Sequence, residues 1–486
     1  MVICAPRGSA RWWISLQVAL VALGAAVPLW RLTSPVARDY SEGWLAVWSD
    51  RAAANLPGLY AWAQGNPLVA NNYPPLFEWL CGALAPLTGD ALVTGRILGL
   101  LGLGAATMLA GVLCRRLGAN ALAGVATALF VLLYAVWPFD QFLAANNPQW
   151  LAEALVLASL LALLPRHKAR APSPGMMALS LGAFALAMLV KHNVVAFVPA
   201  TLVWFARRYP SRLLMWLAIG TGIAALVIGG LTAEFGIAIW QQVLGYPRVF
   251  SAANTADAAL TLLRFTPLLL LALLVTWRRR REPAHGLVGA WFVCALVLGL
   301  VQRTADGVSQ NAFFGATLAA LILACSEASR RRGWLAWAAV AAPLALYIPD
   351  RAQMRWDEWH TAAALDREQA VLVGALARTR GPVLCEDLAL CRRAGKPLLV
   401  DTFAYGQRLG AGRDDTRLSA MIADRTIAAV VLDLPRTTRL PAPIVAAIDA
   451  GYVRVASAPS AHAELLLPRQ SPSQRDTSRS SDVTQP

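Results

Sequence analysis

Asp39 and Glu42 are the first residues in the chain whose types and spacing could do chemistry. They stand three apart in Arg38-Asp39-Tyr40-Ser41-Glu42-Gly43, directly after the first long apolar run. A helix starting near Ser41 would hold both carboxylates at its N-terminus, where the helix dipole favours negative charge. Two carboxylates just outside an apolar span can hold a divalent metal, orient a hydroxyl or accept its proton. The same spacing also serves plain helix capping by Asp39 with a solvated Glu42. Lys191 stands with His192 and Asn193 between two short apolar runs. An ionisable residue inside an apolar stretch points to function, although a lysine at a helix end can also snorkel to the interface. Arg303, followed by Asp306 and Asn311, is a second candidate for an anion, with pairing to Asp306 as the alternative. Arg248, in Gly245-Tyr246-Pro247-Arg248, is a third.

Other chemistries lack their residues. No His/Cys/Asp/Glu set has zinc-like spacing, and His360 and His462 stand alone. There is neither a GxxxxGK[ST] loop nor a GxGxxG after a strand, which argues against direct nucleotide binding. Trp44, Trp48, Trp62 and Trp79 crowd the stretch after the first apolar run. They could stack on sugars or form an interfacial aromatic belt.

The elements that must position these residues are membrane helices. The chain of 486 residues is 57% hydrophobic and only 15% charged, with a mean hydropathy of +0.51. Soluble proteins carry about 25% charged residues, so an ordinary soluble enzyme is excluded. The formal charge of +15 would suggest nucleic acid in a soluble domain, but here the basic residues cluster between apolar runs, so no nucleic acid is expected. About eleven spans follow from the apolar runs: 12–30, 91–113, 119–138, 144–165, 174–190, 194–206, 212–232, 260–277, 284–302, 311–326 and 333–349. The first resembles a signal peptide but is long enough to remain as a helix. The basic clusters at 115–116, 166–170, 207–212, 278–281 and 330–332 follow every second span, which places them and the N-terminus in the cytoplasm. The apolar stretch 76–87 would be about 18 Å long as a helix, too short to cross, and reads as an interfacial helix. Expected domains are a transmembrane module over 1–349 with a first periplasmic loop at 31–90, a small periplasmic α/β domain over 350–468, and a disordered tail over 469–486. Strands are expected at 382–386, 397–401, 427–433 and 452–456, with helices near 361–379, 417–424 and 441–450.

The order of these features resembles the GT-C superfamily of membrane glycosyltransferases. The closer resemblance is to the polyprenyl-phosphate-sugar-dependent branch that includes protein O-mannosyltransferases and lipid A aminoarabinose transferases (glycosyltransferase family 39-like). It is carried by the acidic pair before Gly43 and by Asn71-Asn72-Tyr73-Pro74-Pro75-Leu76. Arg96, Asn147-Pro148 with Glu153, Lys191-His192, Gly307 to Asn311 and Gly381-Pro382-Val383-Leu384 extend it. The sequence departs from the family in placing Ser41, not an acid, before Glu42.

The resemblance implies a GT-C fold and an inner-membrane enzyme facing the periplasm. It implies a polyprenyl-phosphate-linked hexose or pentose donor, and a lipid, polysaccharide or protein acceptor. Asp39 and Glu42 would then be catalytic, with inversion at the sugar. Lys191, His192, Arg303, Asn311, Arg248 and Tyr73 would bind substrate. A divalent metal, if used, would fall to Asp39 and Glu42. A transporter or flippase of a lipid-linked or anionic substrate is the alternative, but it should show repeated halves, and none is seen.

Cys385 and Cys391 are six apart. In an oxidising compartment they either pair or stay as two buried thiols. Pairing requires a turn between them, with Cys385 ending a strand and Cys391 on a helix that folds back. A continuous helix would hold them about 9 Å apart by rise alone.

Overall fold

The computed structural model describes residues 7–164, 171–330, 333–413, 416–434 and 439–469. The basic cluster at 166–170, Arg331, Arg332, Cys4 and the tail from 470 lie outside the described residues. The chain divides into two compact units. One contains Met1–Ser34, Trp48–Trp62 and Asn71–His360; the other contains Pro35–Val47, Ala63–Ala70 and Thr361–Pro486.

The first unit is helical. Among the described residues, six helices are long and apolar enough to cross a membrane: Trp12–Trp30, Ala91–Arg116, Pro210–Phe235, Ala252–Arg279, Pro283–Arg303 and Gln310–Ala328. Shorter apolar helices occupy Ala121–Val136, Gln149–Leu163 and Pro174–Val190. The chain is thus a multi-pass membrane protein, with helices at each segment where a span is expected. Close packing in lipid relies on small residues, and helix Ala91–Arg116 shows why. A Cβ on Gly99 would lie 2.8 Å from Ala145 O, and one on Gly102 would lie 2.5 Å from Leu151 N. The helix therefore receives the backbone of 145–151 directly against its own. Arg96, from the same helix, is buried and donates to the carbonyls of Arg31, Leu32 and Ser34 at 3.2, 3.2 and 2.7 Å. These carbonyls close the first helix, where a cation is favoured. The expected interfacial stretch is the helix Pro75–Thr88, 14 residues long.

Helix Trp334–Arg378 runs unbroken for 45 residues through Pro343 and Pro349. It carries the chain straight through the expected 349/350 boundary. The expected span at 333–349 and the expected helix at 361–379 are one element. Within the first unit, Arg351 and Arg355 of this helix bracket the buried carboxylate of Asp140 at 3.4 and 3.2 Å.

The second unit is built on a four-stranded sheet in the order β1-β2-β4-β3. Its strands are β1 (Val383–Cys385), β2 (Ala429–Asp433), β3 (Tyr452–Ala458) and β4 (Ala463–Pro468). β1 lies parallel to β2, with Cys385 opposite Val431. β4 is antiparallel to both β2 and β3, and β3 carries a bulge between Arg454 and Ala456. Leu384, Val430, Leu432, Ile448 and Leu466 fill the core, joined by Leu68 from the first loop. The expected strand at 397–401 is not one: the Asp401 N–H is taken by Leu68 O at 2.8 Å, outside the sheet. β4 is a strand that the sequence reading missed. The pair Cys385–Cys391 is disulfide-bonded with a Cα separation of 6.3 Å. Cys385 ends β1 and Cys391 sits on the returning helix Leu388–Arg393.

Candidate active site

In the helical unit, polar side chains from four separate segments meet around Lys191. Helix Pro174–Val190 ends at Lys191, whose extended backbone still closes the helix through its N–H to Ala187 O. This turns the side chain, only 5% exposed, toward the start of helix Gln149–Leu163. There Asn147 accepts from Gln149 N at 3.0 Å and lies 3.5 Å from Lys191 Nζ. Asn311 fits with its amide nitrogen donating to Ser309 O and its oxygen accepting from Lys191 Nζ at 3.0 Å. The Tyr73 ring centroid is 5.4 Å from the ammonium, within cation–π range. Tyr73 is itself placed by the Tyr60 hydroxyl, which donates to its carbonyl at 2.6 Å, and by Asn71, which accepts from its N–H at 3.1 Å.

Beside Lys191 runs a chain of amide hydrogen bonds. Gln149 donates to the buried carboxylate of Glu153 at 2.9 Å and accepts from Asn193 at 3.1 Å. Gln302 donates to the Asn193 carbonyl at 3.0 Å. With Trp291, these residues line a cavity of about 20 Å³, room for about one water. The sequence alone assigns no role to Gln149, Asn193 or Gln302. Their signal was a polar amide at the mouth of each of three apolar runs.

His192 lies in the turn His192–Val194. Burial, then the charges of Arg248 and Lys191, push its imidazole down to about 4. It is therefore neutral at physiological pH, and Arg248 lies in its electrostatic reach. Arg248 also approaches the Tyr246 ring, at 5.7 Å. Arg303 is paired with Asp257, while Asp306 accepts from Asn254.

Asp39 and Glu42 belong to the second unit. Helix Tyr40–Ala54 begins directly after Asp39. Asp39 Oδ1 accepts from Glu42 N at 3.0 Å and from Ser41 Oγ at 2.7 Å, an N-cap. Glu42 is not solvated. It is 1% exposed, and its Oε2 accepts from Arg38 N at 2.7 Å. The two carboxylates thus brace the helix start reciprocally, close to a capping box. Among the described residues, no group of three or more His, Cys, Asp or Glu side chains is placed to hold a metal ion. Asp39 Oδ1 and Glu42 Oε2 are each taken by a backbone donor. Trp44 and Trp48 are buried rather than set in an interfacial belt.

No protein-family model matches the sequence, and no curated protein matches it. Solved structures do. The crystal structure of ArnT from Cupriavidus metallidurans bound to undecaprenyl phosphate superposes with a TM-score of 0.61 at 14% identity, covering 93% of this chain and 97% of that one. ArnT from the same organism in the apo state gives 0.60 at 15% identity, covering 94% and 98%. The apo oligosaccharyltransferase of Archaeoglobus fulgidus gives 0.50 at 9% identity, covering 86% and 69%. Nearly the full length of the chain therefore shares the fold of ArnT, and this is the GT-C fold that the sequence resemblance implies.

Proposed function

We propose that the protein is an inner-membrane glycosyltransferase. In this reading it moves a hexose or pentose from a polyprenyl-phosphate-linked donor to an acceptor hydroxyl at the periplasmic face. The observation that carries this is the buried Lys191 ammonium, held by Asn147, Asn311 and the Tyr73 ring. The shared fold with ArnT, crystallised with undecaprenyl phosphate, supports it. A preorganised cation in a dry site is what a departing lipid phosphate requires.

The acceptor oxygen forms a bond to the anomeric carbon as the bond from that carbon to the phosphate oxygen breaks. The electron pair leaves with the lipid phosphate, whose charge Lys191 and His192's neighbour Arg248 offset. The hydroxyl proton passes to a carboxylate, assigned to Glu42 or Asp39. Attack opposite the leaving group inverts the sugar. The phosphate is already a good leaving group, so positioning and charge neutralisation do most of the work.

The test is Lys191→Met, which keeps the aliphatic stem and removes the charge. Purified protein in detergent should bind undecaprenyl phosphate, and the variant should bind it at least about 10-fold more weakly, one charged hydrogen bond's worth. Equal binding by both proteins removes the phosphate role. Loss of an envelope glycan on deletion of the protein identifies the acceptor.

A further inference from the structure

The start of helix Tyr40–Ala54 is held from outside by one carboxylate. Tyr40 donates its hydroxyl to Asp401 Oδ1, and the Trp44 indole N–H donates to Asp401 Oδ2 at 2.8 Å. Tyr40 and Trp44 are four apart and so share a helix face. Gly43 flanks that face: a Cβ there would lie 2.6 Å from the backbone nitrogen of Ala389. Nothing larger than glycine fits where the two helices touch. Glu42 is two residues from Tyr40, a rotation of about 200° around the helix axis. It is presented on the side away from this seat.

Asp401 is itself rigidly placed. It caps helix Thr402–Gly410 by accepting from Ala404 N at 2.8 Å, and its own N–H donates to Leu68 O. The Arg439 guanidinium lies 4.5 Å from the Tyr40 ring centroid and donates to Asp433 at 2.8 Å. The Arg439 backbone N–H donates to Glu386 at 2.9 Å.

We propose that Asp401 is a positioning residue for glycosyl transfer: its grip on Tyr40 and Trp44 fixes the rotation of the helix start and with it the direction in which Glu42 meets the acceptor hydroxyl. This rests on the reading of Glu42 as an acceptor-side carboxylate. Three donors converge on Asp401, the Tyr40 hydroxyl, the Trp44 N–H and the Ala404 N–H. Both of its oxygens must therefore accept. Asparagine satisfies one side only, since its amide hydrogens face a donor on the other. The helix start then turns to relieve the conflict, and a shift of about 1 Å at a reacting group can cost about 100-fold in rate.

The test uses the full-length protein in detergent with a lipid extract of its native membranes as the source of donor and acceptor. Turnover is read as polyprenyl phosphate released, and binding of undecaprenyl phosphate is measured separately. Asp401→Asn should lower turnover about 10- to 100-fold with undecaprenyl phosphate binding as in the wild type. Tyr40→Phe deletes one hydrogen bond and keeps the ring, and should lower turnover about 3- to 10-fold. Adding Trp44→Phe to Asp401→Asn removes the opposed donor and should restore part of the loss, which a general weakening of the fold would not. Glu42→Gln is the benchmark. If it is inactive while Asp401→Asn and Tyr40→Phe turn over like the wild type, the positioning role is overturned and the reading of Glu42 stands. If Glu42→Gln turns over normally, the reading beneath the proposal fails. Should Asp401→Asn fail to fold, Tyr40→Phe decides.

Discussion

Glu42 and Asp39 brace the start of helix Tyr40–Ala54, and substitution can separate that role from the one proposed for them in transfer. Glu42→Gln keeps an oxygen to accept from Arg38 N, and Asp39→Asn keeps one for Ser41 and Glu42 N. Both variants should fold, so lost transfer reports lost charge. Removing a general base costs at least about 100-fold, and each variant should fall by that much. Near-normal transfer in both would leave the pair as a cap and nothing more. Glu78 gives a second residue-scale expectation. Burial pushes its carboxyl up to about 8, partly offset by the bond from Asn71. Its ordinary value is 4.5, so the folded state holds a proton that the unfolded chain releases. The stability this contributes is full below about pH 4.5 and is lost as pH rises through about 8. Wild-type protein should therefore lose thermal stability between pH 5 and pH 8.5 relative to Glu78→Gln, whose side chain cannot ionise. Parallel melting curves across that range would mean Glu78 is ionised in the fold. Of these residues, the acidic pair and Lys191 were legible because charge is conspicuous in an apolar chain. Glu78 and Asp401 were not, because what matters about them is burial by segments distant in sequence.

Elements with a strong local signal were read correctly, and those decided by tertiary partners were not. Helices lie at the expected apolar runs, and six of them among the described residues are long and apolar enough to cross a membrane. Residues 397–401 have the composition of a strand, but the Asp401 N–H donates to Leu68 O and the Asp401 side chain serves as a helix cap. The expected boundary at 349/350 falls inside helix Trp334–Arg378, which continues through Pro343 and Pro349. The Cys385–Cys391 turn was legible because six residues can bring two Cα atoms within bonding range only if the strand reverses into a helix. That disulfide closes a short loop, for which the chain-entropy model gives about 2 kcal/mol. Reductant should therefore speed proteolysis of the C-terminal unit in detergent-solubilised protein, and Cys385→Ser should do the same without reductant. If limited proteolysis is indifferent to both, the bridge does not constrain this unit.

At the scale of the molecule, the distribution of arginine makes a claim about sidedness. Helix Ala91–Arg116 ends in Arg115-Arg116, helix Phe197–Arg208 in Arg207-Arg208, and helix Ala252–Arg279 in Arg278-Arg279. All three ends should stay in the cytoplasm. Lysine is nearly absent, with only Lys168, Lys191 and Lys396 in the whole chain, so arginine carries the orienting charge. With the eleven spans expected from the sequence, an odd number of crossings would separate the N-terminus from the C-terminal unit, which predicts that unit on the periplasmic side. The disulfide agrees independently, because such bonds persist in the periplasm and rarely in the cytoplasm. Alkaline phosphatase fused after Arg469 should accordingly be active, and the same enzyme fused after Arg116 should be inactive. Green fluorescent protein should give the reverse pattern. An inactive phosphatase after Arg469 would place the C-terminal unit inside. Asp39 and Glu42 belong to that unit, so this result would also remove the periplasmic reaction.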